Sequence, residues 1–137
     1  MTVDQPSRIL VVEDDPTNLL LLRAVLARAS DPRLSGAVIT EANTLQAAYQ
    51  AAAARDHDLI ILDVRLPDGN GLDLARAIRA RPSAKRPKIL ILSASVLTAE
   101  RDLALAAGGD EFVAKPYLPH DLQAACEQLL RMASAAT

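Results

Sequence analysis

Leu59-Ile60-Ile61-Leu62-Asp63 is an unbroken apolar run of strand length that ends in a carboxylate. A strand with one wetted face alternates polar and apolar residues, whereas a run that is apolar throughout has both faces covered. Ile9-Leu10-Val11-Val12 and Ile89-Leu90-Ile91-Leu92 read the same way, and Ala37-Val38-Ile39 and Phe112-Val113 complete five predicted strands. Helical patterns separate them. Asp15 is a predicted N-cap with Pro16 at the first helical position, and Leu19, Leu22 and Leu26 follow on one face. Asn43-Thr44-Leu45-Gln46 has the form of a capping box and opens a helix striped by Leu45, Ala48, Tyr49 and Ala52. A third helix follows Pro67-Asp68-Gly69-Asn70-Gly71 and packs through Leu74 and Ile78, and a fourth runs from near Thr98 to Gly108. The fifth carries the stripe Leu122, Ala125, Cys126, Leu129, Leu130. Five strand–helix pairs in strict alternation imply a (βα)5 α/β fold, a doubly wound parallel five-stranded sheet with right-handed crossovers.

A chain of 137 residues fits one domain, and with half of its residues apolar and 23% charged it buries a core rather than staying disordered. Aromatics are only 2%, without Trp, so Leu, Ile, Val and Ala build that core and a base-stacking platform for single-stranded nucleic acid is not expected. A net charge of −2 argues against bulk binding of polyanions. One cysteine excludes a disulfide framework and Cys-based metal sites, and Cys126 reads as a buried, inert thiol. The polar Met1–Ser7 segment and the lack of any apolar run of membrane-spanning length predict a cytoplasmic chain without membrane contact. His57 and His120, at a helix end and a helix start, are expected to be solvated. Six of the fifteen basic residues fall between Arg76 and Lys88, which reads as a solvated helix and loop.

In doubly wound sheets the functional site lies outside the carboxyl ends of the strands. There the first strand ends in Glu13-Asp14-Asp15, the third in Asp63, the fourth in Ser93-Ala94-Ser95 and the fifth in Lys115-Pro116. Three converging acidic groups do not all stay ionised cheaply without a cation. Glu13, Asp14 and Asp63, one doubly charged ion and Lys115 together sum to zero charge. With oxygen donors only and no His or Cys ligand, Mg²⁺ suits the cluster better than Zn²⁺.

These residues, in this order and each at a predicted strand end, resemble the receiver domain of the two-component response-regulator family over essentially the whole chain. The resemblance rests on Val12-Glu13-Asp14-Asp15-Pro16, on Asp63 within residues 58–71, on Ser93-Ala94 and on Lys115-Pro116. It implies a flavodoxin-like sheet with strand order 2-1-3-4-5, and it implies roles. Asp63 would be the phosphoacceptor for a histidine kinase or histidine phosphotransfer protein. Mg²⁺ would be held by Asp14 and Asp63 directly, by Glu13 through water and by the backbone carbonyl of Arg65. Lys115 and the Ser93 hydroxyl would bind phosphoryl oxygens, Ala94 would leave room for the group to enter, and Lys115-Pro116 would form a cis turn. Ser93 and Phe112 would act as switch residues, remodelling a face near Glu100, Arg101, Phe112 and Asp121. The chain would then be a signalling receiver that catalyses only its own phosphorylation and slow autodephosphorylation.

Other readings fit less well. Gly108-Gly109-Asp110-Glu111-Phe112 spells the diguanylate cyclase signature, but only 25 residues follow it, and the same residues suit a helix stop leading into the fifth strand. Haloacid-dehalogenase-like phosphatases carry Asp-x-Asp on the first strand, where this chain has Glu13 first. A pseudo-receiver acting purely as an interaction module would have a broken phosphorylation set, and this one is intact. The chain departs from the family pattern in a long first helix-to-strand connection, Ser30–Gly36, in Leu45, in Phe112, and in Ala125 where winged-helix regulators often have a dimer-pairing arginine. The expected organisation is a disordered N-terminus over 1–7, a receiver over 8–132, and a tail or linker start over 133–137. Output would pass to a partner protein or to a C-terminal effector domain missing from this chain, and direct nucleic-acid binding is not expected.

Overall fold

The structure, a computed structural model, describes residues 6–81, 86–94 and 97–135, which leaves 1–5, 82–85, 95–96 and 136–137 outside it. In chain order the elements are β1 (Arg8–Val12), α1 (Pro16–Ala27), α2 (Pro32–Ser35), β2 (Val38–Ala42), α3 (Leu45–Ala54), β3 (Leu59–Asp63), β4 (Arg65–Leu66), β5 (Gly69–Asn70), α4 (Leu72–Ala80), β6 (Lys88–Ser93), α5 (Thr98–Ala106), β7 (Glu111–Ala114) and α6 (Pro119–Ala135). Five strands form one parallel sheet in the order β2-β1-β3-β6-β7, the 2-1-3-4-5 arrangement once β4 and β5 are set aside as a separate two-stranded hairpin.

Alternate residues of the central strands serve two cores. Leu10, Val12, Ile60, Leu62, Ile89 and Ile91 face Leu45, Ala48, Leu74, Ile78 and Ala104 of α3, α4 and α5. Ile9, Val11, Leu59, Ile61, Leu90 and Leu92 face Leu22, Val25 and Leu26 of α1, Leu34 of α2, and Leu122, Cys126, Leu129 and Leu130 of α6. Each such Leu or Ile contributes about 1.5–3 kcal/mol by leaving water, so these two layers dominate the folding energy. Burial pushes the Cys126 thiol up to about 12, which leaves it inert at neutral pH. Among the described residues no helix is long and apolar enough to cross a membrane.

Local chemistry sets the element ends. The Asp15 carboxylate accepts from Thr17 N at 2.8 Å and Asn18 N at 3.2 Å, capping α1 as its sequence predicts. The cap of α3 differs from expectation. Thr44, not Asn43, is the N-cap, its hydroxyl accepting from Ala47 N at 3.0 Å, and Ala47 has no side chain with which to close a box. The long first connection holds the short helix α2, capped by Asp31, whose carboxylate also pairs with Arg33 at 2.8 Å. The edge strand β2 starts one residue later than predicted and runs on to Ala42. Tyr49 lies 36% exposed, at the margin of its predicted stripe.

Gly108-Gly109-Asp110 is consumed by architecture. Gly108 takes φ +118 just past α5, where a side chain would collide with Arg79. The Arg79 guanidinium donates to Gly108 O at 3.0 Å, to Pro87 O at 2.8 Å and to the Asp110 carboxylate at 2.7 Å. Asp110 also accepts from Ile89 N at 2.8 Å, so it fixes the starts of β6 and β7 together.

Candidate functional site

Because the five strands are parallel, the carboxyl ends of β1, β3, β6 and β7 share one edge of the sheet, and the loops leaving them converge. Register sets the neighbours: Val12 lies opposite Leu62, Asp63 opposite Leu92, and Ser93 opposite Ala114. Glu13 and Asp14 therefore leave β1 beside Asp63 of β3. One carboxylate oxygen from each of the three lies within 4.8 Å of the others. Glu13 is only 2% exposed, whereas Asp14 faces solvent at the rim.

Lys115 reaches into this cluster from the loop after β7. Its Nζ donates to Glu13 Oε1 at 3.0 Å and to Asp63 Oδ2 at 3.0 Å. The remaining oxygens are engaged too, since Glu13 Oε2 accepts from Asp15 N at 3.1 Å and Asp63 Oδ1 accepts from Arg65 N at 3.2 Å. The Lys115–Pro116 peptide is cis, and Lys115 N donates to Ser93 O at 2.7 Å, which ties the lysine loop to the end of β6.

Electrostatics follow from this packing. Burial raises the Glu13 carboxyl above its ordinary range, against the opposing pull of the Lys115 hydrogen bond. For Lys115, burial alone would lower the ammonium, but the bonds to Glu13 and Asp63 outweigh it and hold the group above its usual value. Three carboxylates against one ammonium leave two excess negative charges, and every donor is oxygen. That set fits a divalent hard cation, which would bring the cluster to neutrality.

The other candidates take these places. Ser93 is 6% exposed at the end of β6, next to Asp63's strand, and Ala94 follows it at the surface. Arg65 opens β4, so its carbonyl belongs to the backbone two residues beyond Asp63. Phe112 lies in β7 opposite Ile91, its ring partly buried against the core of α3, α4 and α5. Ser95 lies outside the described residues. Two features of the loop after Asp63 escape a reading of the sequence. Gly71 packs so closely on β3 that a Cβ there would run into the Asp63 carbonyl oxygen. Asp68 accepts from Leu45 N at 2.7 Å and from Gln46 N at 2.9 Å. An Asp before Gly reads as a turn former, and nothing local signals a partner more than twenty residues away.

Comparison with known proteins adds the following. The model of the response regulator receiver domain matches residues 9–127. The KDP operon transcriptional regulatory protein KdpE of Escherichia coli is 36% identical over 131 residues, covering 96% of this chain and 54% of that protein. The DNA-binding response regulator MtrA of Mycolicibacterium smegmatis is 36% identical over 124 residues, covering 90% of this chain and 50% of that protein. The chain thus spans about half the length of these curated relatives. Among solved structures, the receiver domain of the sensor histidine kinase PA1611 from Pseudomonas aeruginosa superposes with a TM-score of 0.77 at 30% identity, covering 92% of this chain and 98% of that one. That structure has a magnesium ion coordinated in its active-site cleft.

Proposed function

The chain belongs to the response regulator receiver family, a signalling domain rather than a metabolic enzyme, and from that premise we propose that Asp63 accepts a phosphoryl group from a phosphohistidine donor. The donor is a histidine kinase or a histidine phosphotransfer protein. An Asp63 carboxylate oxygen attacks phosphorus, the O–P bond forms as the N–P bond breaks, and the donor histidine leaves as neutral imidazole once protonated. A divalent cation would be held by Asp14 and Asp63 directly, by Glu13 through water and by the Arg65 carbonyl. A bound Mg²⁺ supplies charge neutralisation between the carboxylate and the anionic phosphoryl group.

Lys115 already bridges Glu13 and Asp63, and in this reading it exchanges one of those bonds for a phosphoryl oxygen. The Ser93 hydroxyl takes a second oxygen, and Ala94 leaves the approach open. Ser93 then draws toward the site and Phe112 follows inward, which remodels the face of α5, β7 and α6. About 2.7 kcal/mol of differential interaction moves such a switch from 1:10 to 10:1, within reach of one or two charge-assisted hydrogen bonds. The receiver unit is residues 8–132, it works in the cytoplasm, and its output goes to a partner protein or to an effector domain on the same polypeptide. Its own chemistry is limited to accepting the phosphoryl group and losing it slowly to water.

The observation that carries this reading is the Lys115 ammonium, bonded at 3.0 Å to carboxylates 102 and 52 residues away in the chain. Acetyl phosphate with Mg²⁺ should add one phosphoryl group, seen by intact-mass spectrometry, and Asp63→Asn should abolish it. Full labelling of the Asp63→Asn protein would overturn the assignment.

A further inference from the structure

The first turn of α3 presents backbone N–H groups at Leu45, Gln46 and Ala47 that have no partner within the helix. Thr44 satisfies Ala47 alone. Leu45 and Gln46 are instead taken by the two carboxylate oxygens of Asp68, at 2.7 and 2.9 Å. Asp68 stands at the tip of the hairpin that follows Asp63, between β4 and β5. That hairpin has only two residue pairs, Arg65 with Asn70 and Leu66 with Gly69, too few to hold its own shape. Its base is fixed by Gly71 N donating to Val64 O at 2.6 Å and by Leu66, buried in the same core cluster as Leu45. Its tip is held by Asp68, bonded to a helix that Leu45, Ala48 and Ala52 seat on the sheet. An ionised acceptor is the stronger choice for the task, and it suits the positive end of the α3 dipole.

Building on the proposed function, we infer that Asp68 is a positioning residue for the metal site. By clamping the hairpin tip to α3 it fixes β4, and with β4 the Arg65 carbonyl, at the place where the ion is bound. Without the clamp the hairpin swings about its base, and the ion loses one preset oxygen.

The test is magnesium titration by calorimetry on the full chain, with Asp68→Ala, Asp68→Asn and Asp14→Ala alongside. Asp68→Ala should weaken Mg²⁺ binding about tenfold, the low end of what losing a contact behind a metal ligand costs. Asp68→Asn, which keeps one oxygen acceptor, should fall between it and the unaltered chain. Labelling of Asp68→Ala by acetyl phosphate should be slow at low Mg²⁺ and recover at saturating Mg²⁺, a dependence that a purely structural cap would not produce. If Asp68→Ala merely melts earlier while binding Mg²⁺ as before, Asp68 is only a helix cap and the inference fails. Should Asp68→Ala not fold, Asp68→Asn decides the matter by the same comparison. Asp14→Ala separates the two levels of argument: it should lose Mg²⁺ binding, and if it does not, the site assignment falls and takes this inference with it.

Discussion

His57 is the residue that most departs from its sequence reading. It stands just before β3, is 4% exposed, and its Nε2 has no hydrogen-bond partner among the described residues. Burial, with Arg55 and Arg8 adding repulsion against the weaker attraction of Asp58 and Asp56, lowers its pKa below the ordinary value. The unfolded chain therefore takes up a proton near pH ~6.5 that the folded chain resists. Stability from the buried neutral ring is complete above that pH and is lost as the pH falls through the lowered folded value. Thermal melts at pH 7.5 and 5.5 should show a smaller acid-induced drop for His57→Leu than for the unaltered chain. Gly71 offers a second test. A methyl there would meet the Asp63 carbonyl oxygen, so Gly71→Ala should cost about 1–3 kcal/mol in urea unfolding. Neither effect was legible beforehand, because the environment of both residues is made by chain distant in sequence.

At the scale of elements, the five strands and five main helices were legible because each carries its own period and its own stop signal. The continuous runs at 59–62 and 89–92 are buried at every position, as a parallel strand covered on both faces should be. What escaped was held by contacts across the chain. The α3 cap is shared between Thr44 and Asp68, and the β4–β5 hairpin is too short to have a period. α2 lies in the stretch Ser30–Gly36, read only as a long connection, and its four residues carry no stripe. The Arg79 clip belongs to this scale, since it joins the end of α4 to the starts of β6 and β7. Arg79→Ala should lower stability by about 1–3 kcal/mol, measured by urea unfolding, because it strips partners from Gly108 O, Pro87 O and the Asp110 carboxylate. It should leave Mg²⁺ binding unchanged, as the clip lies at the opposite end of the sheet from Asp63.

Across the whole molecule, the candidate site was legible as residues at neighbouring strand ends, though its wiring was not. Glu13, Asp14, Asp63, Ser93 and Lys115 were marked by their places at strand ends, and parallel topology brings those ends together. That Lys115 bonds two carboxylates at once depends on loop conformation, which no spacing rule encodes. Under the proposed function the same cluster sets activity against stability. Without metal, three carboxylates share one ammonium, and Asp63→Asn removes one negative charge from the group. Urea unfolding in EDTA should find the Asp63→Asn chain more stable by on the order of 1 kcal/mol, and added Mg²⁺ should narrow the gap.

The alternation of β1 through α6 also fixes the chain's polarity in space. Strands climb toward Asp63 and helices descend from it, so Pro6 enters and Ala135 departs at the far side, and α6 alone runs down about 25 Å at 1.5 Å per residue. Anything tethered to either end is anchored remote from the chemistry. Under the proposed function a tether would not sense a phosphoryl group on Asp63 by touch. The signal would have to travel through the body of the domain, as a change in how its flank grips a neighbour.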